Sequence, residues 1–260
     1  MGSNSRPTKS QAWEPSLSWL DLRGRTSVVT GASSGIGKAI VLALAGEGAR
    51  VWLIGRQVET LTGLAKVAQE RSPSSRACRA DLTRDDDIDK LAAELAREAP
   101  RLDILVLCGG AIHHGDHASA SLSDLDVQYQ TNVRGPYLLI QVLLPLLRAG
   151  CGQIVFINSS SGLHARAQSG QFAATQHAMK AVADSLREEV NADGIRVLSV
   201  FPGRTATPRI ERLFREEGRS YRPKLLLQPE DVAAMVLHVL KMPRTAEVTD
   251  ISIRPMLKSY

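Results

Sequence analysis

Aromatic residues are scarce in this chain, making up only 4% of its 260 residues. Proteins that bind single-stranded nucleic acid stack bases on aromatic side chains and gather basic charge on one face. A net charge of +5 without that stacking surface argues against a nucleic-acid partner. Cysteine is scarcer still. Cys78, Cys108 and Cys151 are odd in number and widely spaced. They form neither a zinc pattern nor a disulfide framework, so no metal site is expected, and a reducing, cytoplasmic setting is. No apolar run reaches the roughly eighteen residues of a membrane span. The N-terminus lacks the apolar core of a secretory signal, so no membrane partner is expected. Internal repeats and low-complexity blocks are also missing.

With 43% hydrophobic and 23% charged residues, the composition is that of a globular protein. Residues 1–20 read as a flexible arm rich in Ser, Pro and Lys, in which Trp13 and Trp19 are candidates to pin it to a domain over 21–260. Short β-type runs fall at 26–30, 50–54, 76–80, 103–107, 153–157, 195–201 and 248–253. Helical spacing recurs between them, at Ile40, Ala43, Leu44 and Glu47 and over 57–70, 86–98, 122–149, 171–191 and 229–241. Pro229-Glu230-Asp231 suits a helix start and Gly194 a helix end. Strand–helix alternation implies βαβ units. Continuous apolar strands imply a sheet covered on both faces. The expected fold is α/β: a single doubly wound Rossmann domain with a seven-stranded parallel sheet and helices on both faces. The basic residues Arg204, Arg209, Arg212, Arg215, Arg219, Arg222 and Lys224 are diluted by Glu211, Glu216 and Glu217, and read as a solvated helix face, with a preference for an anionic ligand as the alternative.

The first strand runs into Gly31-Ala32-Ser33-Ser34-Gly35-Ile36-Gly37 and then a helix. Glycines let the backbone approach a diphosphate, and free N–H groups at a helix start bind anions. The spacing Thr-Gly-x-x-x-Gly-x-Gly resembles the classical short-chain dehydrogenase/reductase family. Further resemblances follow in order along the chain. Asp81-Leu82 is similar to the family's adenine-contacting pair, and Asn132 to its structural and catalytic Asn. Ser159, after Ile154-Val155-Phe156-Ile157, is similar to its catalytic Ser. Pro202-Gly203, with Thr205 and Thr207, is similar to the segment that touches the nicotinamide carboxamide. The resemblance implies carbonyl/alcohol hydride transfer on a small-molecule substrate. It also implies a homodimer or homotetramer built on the helices at 122–149 and 171–191.

An acidic residue at the end of the second strand normally holds the ribose hydroxyls of NAD. Here that position is Gly55, followed by Arg56. Glycine leaves room for a 2′-phosphate, and Arg56 and Ser33 can hydrogen-bond it, so NADP(H) is the expected cofactor.

The family's Tyr-x-x-x-Lys begins thirteen residues past its Ser, and counting from Ser159 lands on Phe172, with Gln176 at the Lys position. A frame that used Lys180 instead breaks both this spacing and the downstream match. Phe172 keeps the ring and lacks the proton; Gln176 can still hydrogen-bond a ribose but carries no charge. A lost general acid costs about 10²–10⁴-fold. The family's Asn-Asn-Ala-Gly is Leu107-Cys108-Gly109-Gly110 here. Gly109 and Gly110 allow close backbone approach to the cofactor, but the bracing Asn side chains are gone. Three readings follow: an NADPH-dependent oxidoreductase impaired by loss of its pair, a non-catalytic NADP(H)-binding sensor or scaffold, and nicotinamide chemistry using a different acid. His113, His114 and His117 follow the altered loop as substrate-lining or exposed residues. His164, five residues past Ser159, is a candidate substitute acid, and His177 reads as a surface residue.

Overall fold

Adjacent residues of a strand point to opposite faces of its sheet, and here both faces are buried. Val28 and Val29 of β1 (Thr26–Thr30) are each fully enclosed, in different cores. The computed structural model describes residues 17–257. After β1 the chain forms α1 (Gly35–Gly46), β2 (Arg50–Gly55), α2 (Val58–Gln69), β3 (Arg76–Arg79), α3 (Asp85–Glu98) and β4 (Ile104–Leu107). It continues through α4 (Leu122–Tyr129), α5 (Gly135–Gly150), β5 (Gln153–Ile157), α6 (Gly170–Val190), β6 (Arg196–Pro202), α7 (Pro208–Glu216), α8 (Pro229–Lys241) and β7 (Asp250–Ile253).

The seven strands are all parallel, in the order β3-β2-β1-β4-β5-β6-β7. One core packs Val29, Leu53 and Val106 under α1, α2 and α8. The other packs Val28, Trp52 and Leu105 under α3, α5 and α6. The edge strands β3 and β7 are short and partly polar, which limits edge-to-edge pairing. From β1 the chain builds outward to β3, then returns to lay β4 on the other side of β1. That reversal opens a crevice at the C-terminal ends of β1 and β4, where ligands of such sheets bind.

Local signals place the helices. α3 opens on Asp85, Asp86 and Asp87, and α8 opens on Pro229 with Asp231 accepting from the Gln228 N–H at 2.8 Å. The run expected as one helix over 122–149 is broken. Gln130–Arg134 forms a π-helical turn between α4 and α5, with Asn132 buried inside it. Hydrophobic spacing alone does not distinguish that turn from ordinary helix.

Trp13 and most of the expected arm lie outside the described residues. Trp19 packs edge-on against His238, with ring centroids 5.0 Å apart, and the Leu20 N–H donates to the Lys241 carbonyl at 2.7 Å. Among the described residues no helix is long and apolar enough to cross a membrane.

Candidate active site

The crevice is built first by the glycine turn. Gly31 has φ +63°, and a Cβ there would stand 2.8 Å from Gly109 Cα. Only glycine lets β1 and the β4 loop come this close. Thr207 closes over the turn from the other side, its Cγ2 lying 2.8 Å from where a Cβ on Gly35 would be. Ser34 precedes α1 without capping it through its side chain, so the first N–H groups of the helix have no side-chain partner there.

Other side chains brace the altered β4 loop. Thr30 Oγ1 accepts from the N–H groups of Cys108 at 3.0 Å and Gly109 at 3.1 Å. Asn132 accepts from the Ala111 N–H at 2.7 Å and donates to the Ala111 carbonyl at 2.9 Å and to Thr175 Oγ1 at 3.0 Å. The buried Gln128 accepts from the His113 N–H at 3.0 Å. Burial pushes the Cys108 thiol up to about 12, so it is a neutral wall group.

Three cavities follow one another along the crevice. The first, of about 250 Å³, brings together Ser33, Gly55, Arg56, Asp81, Leu82, Gly109 and Gly110. Asp81 is half-buried there. Burial opposes its charge, but the Thr83 N–H and hydroxyl bonds, with Arg56 and Arg79 nearby, hold its carboxyl below the ordinary value. The second, of about 60 Å³, contains Asn132, Phe172 and Gln176. The third, of about 150 Å³, is lined by Ser34, Gly35, Ile36, Ser159, Phe172, Pro202, Gly203, Thr205 and Thr207. Gly37 lies beneath the turn and lines none of them; its N–H faces the Cys108 sulfur. A wider space of about 400 Å³ opens beyond Ser159 and Phe172.

The end of β5 and the start of α6 are tied together. Asn158 donates to the Gln176 carbonyl at 3.0 Å and accepts from the Ser159 N–H at 2.7 Å, while Ser159 Oγ accepts from the Ser161 N–H at 3.1 Å. Ser159 therefore shares a cavity with Phe172, which stays on the buried side of α6 with Gln176. Phe172 and Gln176 also line the small cavity that holds Asn132.

His114 stands against Phe172, ring centroids 6.4 Å apart, with its Nδ1 3.7 Å from Glu217 Oε1. Burial lowers its pKa, against the opposing pull of Glu217. His164 is exposed at the wide space, His177 is exposed on α6, and His113 faces Asp124 at 3.4 Å. His117 packs against Gly170. Among the described residues no group of three or more His, Cys, Asp or Glu could hold a metal ion.

The basic cluster on and after α7 differs from a solvated face. Arg204 and Arg219 stack on Phe214, at 4.6 and 5.0 Å from the ring centroid, and both pair with Glu217. Arg209 reaches into the crevice, where its Nη2 donates to the Gly110 carbonyl at 2.7 Å. Its place two residues past Thr207 was the available sequence signal; the direction of its side chain was not.

A doubly wound parallel sheet with a glycine turn at its switch point defines a Rossmann-type dinucleotide fold. The model of the short chain dehydrogenase family matches residues 25–218, and the chain belongs to that family. It is 30% identical over 237 residues to an oxidoreductase of Staphylococcus haemolyticus, covering 91% of this chain and 99% of that protein. A short chain dehydrogenase of Escherichia coli CFT073, solved in complex with NADPH, is 29% identical with a TM-score of 0.82, covering 89% of this chain and 98% of that one. One of Shigella flexneri, solved with NADP, is 28% identical with a TM-score of 0.82 over the same shares.

Proposed function

We propose that this oxidoreductase-family chain binds NADP(H) in the crevice and that its carbonyl reduction is impaired by the exchange at Phe172 and Gln176. The observation that carries the reading is Phe172 itself, which lines one cavity with Ser159 and Thr207 yet has no hydroxyl. Support for the cofactor comes from the close backbone approach at Gly31 and from Arg56 and Ser33 standing where a carboxylate would repel a 2′-phosphate. Solved relatives hold NADP or NADPH. A reduced nicotinamide supplies a hydride to a carbonyl carbon. The chain must supply a proton to the oxygen, and neither Phe172 nor Gln176 can donate one as an acid. In the family the tyrosine does so, its free pKa of about 10 lowered by the neighbouring lysine.

The test is NADPH consumption over a panel of ketones, aldehydes and quinones. The unaltered protein is expected to turn over very slowly or not at all. Phe172→Tyr with Gln176→Lys is expected to raise the rate by at least about 10²-fold, and Phe172→Tyr alone by less. Robust turnover by the unaltered protein would overturn the impairment. Tight NADPH binding without turnover in either protein would favour a sensor or scaffold role.

A second reading, hydride transfer with a different acid, is favoured by His114, which lies beside Phe172 with Glu217 Oε1 3.7 Å from its Nδ1. If the unaltered protein is active, His114→Gln should abolish that activity, while His164→Gln, at an exposed position, should not.

A further inference from the structure

We propose that Arg209 is the cationic clamp of the crevice, gripping the diphosphate of a dinucleotide from the side opposite the glycine turn. The proposal rests on the cofactor reading above and concerns the charge that the family's lysine position no longer carries.

The argument begins with position. Arg209 is the second residue of α7, just past Thr207, which closes over Gly35. From there its side chain crosses the crevice to the β4 loop and bonds the Gly110 carbonyl, ninety-nine residues away in the chain. It is shared by all three cavities, from the Arg56 end through the Asn132–Gln176 space to the Ser159 end. The middle of a dinucleotide laid along the crevice is its diphosphate, and the guanidinium is at that middle.

Charge is the second strand. Among the residues lining the three cavities, the only cations are Arg56 and Arg209. Arg56 belongs to the adenosine end. Without Arg209 the diphosphate would face only the partial positive charge of the α1 N-terminus, roughly half an elementary charge. Gln176 lines the same small cavity as Arg209 and is neutral. The cation of that small cavity therefore stands on α7 and not on α6.

The third strand is what the guanidinium lacks. Its hydrogen-bond partner, the Gly110 carbonyl, is neutral, and among the described residues it forms no ion pair with a carboxylate. Three nearby arginines are paired with carboxylates: Arg204 and Arg219 with Glu217, and Arg212 with Glu216. A guanidinium has five donors in a rigid fork that matches phosphate oxygens. The crevice walls around its head are the main cause lowering its pKa.

The same geometry could describe a plug that fills the crevice and hinders the cofactor. Titration calorimetry separates the two, using NADPH, NADH and 2′-AMP as probes, the last carrying a 2′-phosphate but no diphosphate. A clamp predicts that Arg209→Ala weakens NADPH and NADH alike, by about 10- to 100-fold as charge-assisted hydrogen bonds are lost. It also predicts unchanged 2′-AMP binding and partial recovery in Arg209→Lys. Unchanged 2′-AMP binding shows in the same experiment that the variant is folded. Tighter or unchanged NADPH binding by Arg209→Ala overturns the clamp and leaves the cofactor reading standing. An unaltered protein that binds no dinucleotide overturns both.

Discussion

Arg56 follows Gly55 at the C-terminal end of β2 and is exposed to solvent. A 2′-phosphate there would take charge-assisted hydrogen bonds worth about 1.5–3 kcal/mol. NADPH should therefore bind about 10- to 100-fold tighter than NADH in titration calorimetry. Arg56→Ala should remove most of that preference and leave NADH affinity nearly unchanged. Equal affinities for the two coenzymes in the unaltered protein would rule this out. Arg56 and Phe172 were legible in the sequence because each sits at a fixed count from a backbone landmark, a strand end or Ser159. Arg209 and His114 were not. Their roles depend on where a long or loop-borne side chain is aimed, and the spacing of neighbours along the chain does not encode that. Arg209 looked like one arginine among seven basic residues until Glu216 and Glu217 were seen to pair with others.

At the scale of elements, the turn of Gln130–Arg134 has the strongest consequence. A π-turn adds a residue to a helix locally and is often found at functional sites. Here it carries Asn132 inward, where one side chain satisfies both backbone groups of Ala111 and touches Thr175 on α6. Asn132→Ala would leave those half-buried groups without this partner. It should cost about 2–3 kcal/mol in urea unfolding, and it should loosen the loop that carries Gly109 and Gly110. A loss below about 0.5 kcal/mol would mean that the loop is held by Thr30 and Gln128 alone. The strands, the glycine turn and the later helices were readable from burial patterns and cap residues. The π-turn was not, because inserting it leaves the apolar residues of 122–149 at spacings that still look helical. Gly150 also stood inside no expected helix, yet α5 extends to it before Cys151 takes a left-handed conformation with φ 44°.

Over the whole molecule, apolar exposure is uneven. Val127, Tyr129 and Tyr137, each about half exposed, lie on α4 and α5. We propose that these helices, with α6, join copies of the chain into a dimer or tetramer. Light scattering should give a mass that is a multiple of 28.2 kDa, and Tyr129→Asp with Tyr137→Asp should reduce it. A monomeric unaltered protein would overturn the inference. The walls of the crevice come from opposite ends of the chain. The glycine turn, Arg56 and Asp81 belong to the N-terminal half, while Ser159, Phe172, Gln176 and Thr207 belong to the C-terminal half. Arg209 also comes from the C-terminal half, so the two halves meet at the middle of the crevice. The hydroxyl that Phe172 lacks thus belongs to a wall that meets neither Arg56 nor Asp81.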